Sequence, residues 1–370
     1  PPAAAASRRV LILLLAAVLA AFSGQQLLSP VLAPLSRELR MTEFQLGLVI
    51  TVAAVVFALG SLAWGRVADR WGHRRVLLTG LALGIAGLAS FAVVCRLATD
   101  GGWPAGLSLT AMLITRSVLF GIGIGAIPVA ALAYVSATTS GERDRTRAVS
   151  LVGAAQAVSL VVGPGLGGAL AVVELLLPIY VAPLLLAAVA VAVAVGLPRA
   201  PRVAADPGAA RPRGVGPFDP RVRPFLAVGL LLFLSLGMMQ VTLGFLVQDR
   251  LRLDAEQTAG SVGAVLFGAG LVLVVMQAVV VPRLAWSPAR LMRAGGPIAA
   301  AGFAGLALAP QLWLMTVAMA VVAGGLGLAI PGYTAGPTLR VQQTEQGSVA
   351  GLINATNGVT FIVGPLLGTA

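Results

Sequence analysis

The densest group of side chains that could do chemistry lies at residues 65–75, between two long apolar runs. It holds one acid and four arginines: Asp69, Arg66, Arg70, Arg74 and Arg75. An ion within hydrocarbon costs several kcal/mol, so this stretch is predicted to be a tight turn at a membrane face. Gly65 and Gly72 would let the helix ends approach closely or adopt a positive φ. Charge pairing is the chemistry that such a turn can offer.

A second candidate is Arg116, which lies about ten residues inside the apolar run 107–136. A guanidinium at that depth must face protein or a water-filled cavity. Two interpretations stay open. Arg116 either contacts an anionic group or takes part in proton coupling, or it only donates to backbone carbonyls of a neighbouring span.

Amide side chains in the apolar runs form a third group, because amides in hydrocarbon need partners. Some should line a cavity and others should bridge helices. The candidates for substrate binding or coupling are Gln25, Gln26, Gln156, Gln240 and Asn357. None of the 13 acidic residues lies at the middle of an apolar run, and Glu174 and Asp249 come nearest.

Other chemistries are not predicted. No nucleophile, base and orienting group recur at a catalytic spacing, so no enzyme activity and no catalytic residue is expected. The chain has one cysteine, Cys95, and one histidine, His73, which excludes an intrachain disulfide and a His/Cys metal cluster. The net charge of +12 is explained by arginines in membrane loops, so nucleic acid is not an expected partner. No cofactor is expected.

The elements that position these residues are membrane-spanning helices. The chain is 58% hydrophobic and only 10% charged, with a mean hydropathy of +0.96. Its apolar runs are roughly 20 residues long, which suffices to cross about 30 Å of hydrocarbon. Eleven spans are predicted, near residues 9–35, 44–65, 76–97, 107–136, 147–172, 179–197, 222–248, 257–281, 290–309, 312–337 and 347–370.

Arginines concentrate in alternate loops, including residues 66–75, 143–147 and 199–223. The positive-inside rule places these loops, and therefore the N-terminus, in the cytoplasm. Residues 198–221 are rich in Pro, Gly, Ala and Arg and are predicted to form a flexible or partly extended cytoplasmic linker. The predicted domains are a six-helix bundle at 1–197, the linker at 198–221 and a second bundle at 222–370.

The two halves of the chain echo each other. Residues 152–167 align with residues 353–368, and in both a Gly-Pro pair precedes a Gly three residues after the Pro. The 65–80 turn has a weaker echo near Arg283–Gly295, where no acid replaces Asp69. Parallel repeats of this kind predict two pseudo-symmetric six-helix bundles. The repeat predicts a twelfth helix after Ala370. Because the given sequence does not begin with Met, a start before Pro1 is also expected.

Two motifs carry a family resemblance. Residues 65–78 resemble the G-x-L-a-D-r-x-G-r-r signature between helices 2 and 3 of major facilitator superfamily transporters. Span 5 resembles the g-x-x-x-G-P-x-x-G-G antiporter motif of the drug exporters of that superfamily. Arg116 resembles the arginine of their R-x-x-x-G pattern, but the glycine comes one residue late, at Gly121. The antiporter motif falls on Ser159, Gly163, Pro164, Gly167 and Gly168.

The resemblance implies an all-α major facilitator fold, most like the twelve-helix drug:proton antiporters. It implies that Asp69 caps a helix of the opposite half and that the turn, with Gly65, Arg70, Gly72, Arg74 and Arg75, acts as a gate. From their spacing, the three glycines of span 5 are expected to share one face of the helix. By the symmetry of the halves, span 5 should meet span 8 and span 11 should meet span 2. Alternatives are an uptake permease or facilitator for a small organic solute, and a transporter-like sensor.

The expected partners are a small-molecule substrate, protons and the lipid bilayer, for a protein that acts as a monomer. The expected location is the bacterial cytoplasmic membrane. The expected activity is efflux of small lipophilic molecules or drugs by alternating access, which would give drug resistance.

Overall fold

The computed structural model describes residues 2–138, 142–198, 215–342 and 345–369, without the side chains of residues 2–7, 69, 136–138, 142–149 and 347. Helices make up all the regular secondary structure of these ranges. The first six spans are Pro2–Leu27 with Ser29–Glu38, then Glu43–Trp71, His73–Gly101, Ala105–Met112 with Leu113–Leu119 and Phe120–Thr138, Glu142–Ala171, and Leu177–Gly196. In span 4, Leu113–Leu119 is a π-helical segment.

The second half adds Arg223–Leu251 as span 7, then Ala255–Val275 with Met276–Val280 and Val281–Leu284 as span 8, Pro288–Leu308, Leu312–Thr338, and Gln346–Thr369 as span 11. Eleven helical stretches of the described chain are long and apolar enough to cross a membrane. The eleven predicted spans are therefore confirmed, and the protein is an all-α, multi-pass membrane protein.

The chain divides into two compact units. The first comprises Pro1–Pro207 together with Ala255–Gly263, and the second comprises Gly208–Asp254 together with Ala264–Ala370. The first turns of span 8 belong to the unit that holds spans 1 to 6.

Spans 3 and 4 pack with their backbones close together in the first unit. A Cβ added at Gly123 would lie 2.5 Å from Gly84 N, and one at Gly87 would lie 2.6 Å from Phe120 N. Side chains larger than hydrogen do not fit at these positions. Because lipid tails are as apolar as Leu, close backbone packing of small residues is a main source of attraction between membrane helices.

Spans 9 and 10 repeat this packing in the second unit. A Cβ at Gly295 would lie 2.7 Å from Ala329 N, and one at Gly302 would lie 2.6 Å from Val322 N. Gly325 approaches the backbone of Ala299 in the same way. Each unit therefore has a pair of adjacent helices joined through glycines, in the order expected of parallel repeats.

Of the predicted linker at 198–221, the structure describes Pro198 and residues 215–221, and the second of these ends packs within the second unit. Val215 and Val222 are buried in a cluster with Phe225, Tyr333 and Ile353. The backbone N–H of Val215 donates to Ser348 Oγ at 2.9 Å. Two valines in and just after this Pro-, Gly- and Arg-rich stretch gain from burial within the second unit. Residues 199–214 lie outside the described chain.

Candidate functional site

The charged stretch 65–75 is helical except at one residue. Span 2 continues to Trp71 and span 3 starts at His73, so Gly72 alone makes the turn. Its φ of +85° is a conformation that residues with a Cβ rarely adopt. The positive φ predicted for Gly72 is confirmed, and its part in a gate stays a prediction. Gly65 differs from its prediction, because it lies inside the helix and no described neighbour comes within 4 Å of its Cβ position.

Arg74 anchors the end of span 6. Its Nε donates to Leu197 O at 2.7 Å and its Nη2 to Ala194 O at 2.6 Å. The last carbonyls of a helix lack partners within the helix, and a cation there also interacts favourably with the helix dipole. Tyr134 adds a third bond, from its hydroxyl to Pro198 O at 3.0 Å. Arg74 of span 3 and Tyr134 of span 4 are thus both bonded to the C-terminal end of span 6.

The other arginines of the turn differ from Arg74 in that they lie at the surface. Arg66, Arg70 and Arg75 are exposed. The side chain of Asp69 lies outside the described part of the structure, although its backbone belongs to the last turns of span 2. Of the six residues predicted to form the gate, Gly72 and Arg74 therefore have a described structural role, and the role of Asp69 stays a prediction.

Arg116 lies in the π-helical segment of span 4. The N–H of Phe120 donates to Thr115 O, five residues back instead of four. This extra residue explains why the glycine of the R-x-x-x-G pattern comes one residue late in the sequence. Across a π-turn, a glycine five residues after the arginine lies about where a four-residue spacing would place it in an α-helix. Gly121 packs against Val56 of span 2, and Ser117 Oγ donates to Val49 O at 2.6 Å.

The guanidinium of Arg116 is buried, and the residue is only 5% exposed. It lies over the ring of Phe120, with 5.2 Å between Cζ and the ring centroid, a cation–π contact. Its Nε has no hydrogen-bond partner among the described atoms. The ion pairs of the described residues do not include Arg116.

The antiporter-like motif of span 5 packs tightly on span 1. The Cβ positions of Gly163 and Gly167 would overlap Gln26 and the backbone of Leu27, respectively. The helix continues through Pro164 without a break. Ser159 is fully buried, and its Oγ donates to Gln156 O at 2.6 Å, which satisfies the hydroxyl locally.

Gly168 faces a different neighbour. Within the first unit, a Cβ at Gly168 would lie 2.7 Å from Gly263 Cα, in the first turns of span 8. The expectation that all three glycines face span 8 is therefore wrong: Gly163 and Gly167 face span 1, and only Gly168 meets span 8. A motif with glycines four and five residues after Gly163 covers two adjoining faces of the helix, because successive residues turn by about 100°.

Span 11 repeats the span 5 contact in the second unit. A Cβ at Gly364 would lie 3.0 Å from Gly237 Cα, and one at Gly368 would lie 3.1 Å from Met238 Cα. Spans 11 and 7 therefore pack as spans 5 and 1 do. The repeat seen in the sequence corresponds to equivalent helix contacts.

The amide candidates do not converge on one described point. Gln26 is buried beside Gly163, while Gln25, Gln156 and Gln240 are partly buried. Asn357 bridges two helices, because its Oδ1 lies 3.0 Å from the hydroxyl of Tyr333 in span 10.

The acids nearest to the spans lie at their ends. Glu174 follows span 5 and lies 3.7 Å from Arg96, with half of its side chain exposed. Asp249 lies in the last turn of span 7. Both acids therefore lie at span ends, as the sequence predicted, and neither is at the middle of a span.

An ion network at the start of span 7 was missed by the sequence analysis. Arg221 lies 2.8 Å from Asp219 Oδ2 and 3.1 Å from Glu345 Oε2, so it joins the end of the linker to the segment before span 11. Hydrogen bonds from Arg221 lower the pKa of both carboxyls, and the two carboxyls raise the pKa of Arg221. The only sequence signal was an Asp-Pro-Arg run in a stretch read as linker.

The amino-acid sequence is similar to those of known bacterial resistance and export proteins. The chain is 28% identical to the class C tetracycline resistance protein of Escherichia coli over 363 residues, which cover 94% of the chain and 85% of that protein. It is 33% identical to the bacillibactin exporter of Bacillus subtilis over 150 residues, 40% of the chain and 35% of the exporter.

Solved transporters share the fold. A mutant of the nucleoside transporter NupG superposes with a TM-score of 0.72 at 16% identity, over 97% of this chain and 90% of that one. A bacterial homologue of the human lysosomal transporter Spinster, in an inward-facing and unoccupied conformation, gives 0.74 at 14% identity, over 96% and 80%. The family model of the Major Facilitator Superfamily matches residues 14–365, and the chain belongs to that superfamily.

Proposed function

We propose that this transporter exports small lipophilic molecules or drugs by alternating access, in exchange for protons. Relatives that align with more than nine-tenths of this chain are tetracycline resistance proteins, which supports export over uptake. The N-terminus would lie in the cytoplasm of a bacterial cell, with the protein monomeric in the cytoplasmic membrane. The arginine-rich alternate loops support this orientation.

The observation that carries the proposal is the side-chain-free contact between Gly168 and Gly263. It belongs to the Gly-Pro motif that resembles the exporters' motif, and it joins span 5 to the start of span 8. Contacts between helices of the two repeats must break and re-form when the repeats rock about a central site. A backbone contact without side chains can separate and close again with no rotamer change.

The charged turn is proposed to bias this cycle. The carboxylate of Asp69 would sit at the positive end of a helix in the other repeat and hold the cytoplasmic side shut. Gly72 fixes the geometry of the turn and Arg74 fixes the turn to span 6. Proton coupling would use an acid at a span end, Glu174 or Asp249, because mid-span acids are lacking in the sequence.

Accumulation in cells tests the direction of transport. Cells that express the protein should hold less of a tetracycline or a lipophilic dye than control cells, and a protonophore should abolish the difference. Greater accumulation on expression would instead favour the uptake permease. A transporter-like sensor would give no substrate counterflow in proteoliposomes.

A matched pair of variants in span 5 tests the role of the glycine contact. Gly168→Leu should abolish export at normal membrane abundance, because leucine cannot fit against Gly263. Gly153→Leu places the same side chain on the same helix, where no described atom lies within 4 Å of the Cβ position. Export that survives Gly168→Leu, or fails equally with Gly153→Leu, would count against the proposed contact.

A further inference from the structure

We infer that the transported molecules include organic anions, and that Arg116 is the residue that pairs with their negative group. The inference rests on the proposed transport function and names its substrate class. It starts from the distribution of charge along the spans. Apart from Arg116, every charged residue lies between spans or within about two helical turns of the end of its span.

The depth of Arg116 places its charge inside the hydrocarbon region of the membrane. Span 4 extends over Ala105–Val135, so Arg116 lies roughly 16 Å along the helix from Ala105 at 1.5 Å per residue. A charged side chain at this depth is costly and is usually paired with an opposite charge or with backbone carbonyls. A cationic substrate would find no mid-span carboxylate in this sequence and would be repelled by Arg116.

The side chain itself is incompletely satisfied. Arg116 is 5% exposed, its Nε has no described hydrogen-bond partner, and the ring of Phe120 offers only a cation–π contact at 5.2 Å. A guanidinium presents its donors in a planar fork that matches a carboxylate, sulfonate or phosphate with two parallel bonds. An anionic group would supply the acceptor that the Nε lacks.

Arg116 lies on a π-turn whose neighbouring hydroxyls already have hydrogen-bond partners. The π-turn at Leu113–Leu119 is one of two in the described chain, with Met276–Val280 in span 8, and such turns are frequent at functional sites. The neighbouring hydroxyls already donate elsewhere, Thr115 to Ala111 O at 2.7 Å and Ser117 to Val49 O at 2.6 Å. The second of these bonds ties the turn to span 2, so the segment that carries Arg116 is anchored to a neighbouring helix.

Equilibrium binding to the full chain in lipid nanodiscs tests the inference. The probes are three aromatic anions, fluorescein, salicylate and 1-naphthoate, and the cation rhodamine 123, which shares the xanthene core of fluorescein. We expect saturable binding of at least one anion at least tenfold tighter than that of rhodamine 123. Arg116→Gln should weaken anion binding at least tenfold, and Arg116→Lys should retain part of it.

Arg293→Gln is the matched control, because it removes an exposed arginine from the first turns of span 9. It should leave anion binding unchanged. Absence of saturable binding of all three anions, or anion binding that Arg116→Gln leaves intact, would overturn the inference. If Arg116→Gln fails to fold, the preference of the unmodified protein for anions over rhodamine 123 still decides the question.

The same probes separate this inference from the proposed direction of transport. Export of rhodamine 123 by cells expressing the protein, together with no anion binding, would leave export standing and refute the anionic substrate class. Arg116-dependent anion binding in a protein that raises cellular accumulation of fluorescein would support the substrate class and refute export.

Discussion

The two repeats of this transporter share their helix packing and differ in their polar interior. Spans 3 and 4 meet through Gly87 and Gly123, and spans 9 and 10 meet through Gly295 and Gly325. The contact of span 5 with span 1 likewise has its counterpart in spans 11 and 7. Glycines at these contacts form a common scaffold, so their presence says little about the particular function of either repeat.

The difference lies in spans 4 and 10. Span 4 carries a π-turn with a buried arginine, Arg116. Span 10 has an uninterrupted helix from Leu312 to Thr338, whose buried polar side chain is Tyr333, paired with Asn357 of span 11. A charged, incompletely satisfied group is expensive to keep, whereas a satisfied tyrosine stabilises. Arg116 is therefore the candidate for binding a ligand, whereas Tyr333 has a structural role.

The largest expected effect tests the shared scaffold. Gly123→Leu and Gly325→Leu should each prevent folding, because the leucine would overlap backbone atoms of the facing helix. Gly325→Ala should already destabilise the protein by about 1–3 kcal/mol, the usual cost of overpacking. Fluorescence-detected size-exclusion and thermal unfolding would measure both effects.

Gly324→Ala is the control in span 10, since no described neighbour lies within 4 Å of the Cβ position of Gly324. It should leave the unfolding temperature unchanged or raise it. If Gly324→Ala and Gly325→Ala destabilise the protein equally, the described packing of spans 9 and 10 would be incorrect.

The next effect concerns the charged turn, which has an acid only in the first repeat. Asp69→Asn makes that turn resemble its echo near Arg283–Gly295, where the sequence has no acid. Transport should fall at least tenfold, which corresponds to about 1.4 kcal/mol in the equilibrium between conformations. Membrane abundance should not change, because a charge at a solvated turn contributes little stability. Normal transport by correctly inserted Asp69→Asn would show that the charge of Asp69 is not needed for gating.

A smaller effect is expected at the polar pair of the second repeat. Tyr333→Phe removes the hydroxyl that lies 3.0 Å from Asn357 Oδ1 and 3.1 Å from Ile353 O. Unfolding free energy should fall by about 1 kcal/mol, typical of one buried hydrogen bond. The transport rate of the folded protein should stay the same. Loss of transport with unchanged stability would instead make Tyr333 part of the substrate site.

The smallest effect is the pH dependence of the network around Arg221. Asp219 and Glu345 have pKa values lowered by hydrogen bonds from Arg221, so their stabilisation is complete above the ordinary carboxyl range near 4. It is lost as the pH falls from that range through the lowered values of the folded protein. Thermal unfolding between pH 7 and pH 3 should show a slightly weaker acid destabilisation in Arg221→Gln. An identical pH profile would show that the network contributes nothing.

The sequence predicted the spans and the turn residue well, because both depend on local chemistry. Apolar runs long enough to cross the bilayer mark spans, and a turn with positive φ needs a glycine such as Gly72. It failed where the outcome depends on contacts distant in sequence. The bonds of Arg74 to the end of span 6 were not predicted, because the carbonyls that it caps are more than a hundred residues away in the sequence.

The candidate site was only partly predictable for the same reason. The depth of Arg116 follows from the sequence, yet its π-turn does not, and the late glycine at Gly121 was the single hint of it. The motif glycines of span 5 were found from their spacing, but which helix each one meets depends on tertiary packing. Val215 and Val222 were hidden by the Pro, Gly and Arg around them.

Transport driven by an imposed pH gradient tests the central claim most directly. In inside-out membrane vesicles containing the protein, an acidic interior should drive accumulation of an exported substrate into the lumen, and a protonophore should abolish it. Gly153→Leu should behave like the unmodified protein and Gly168→Leu should not accumulate substrate. Substrate movement that ignores the pH gradient, or that runs out of such vesicles, would contradict proton-coupled export.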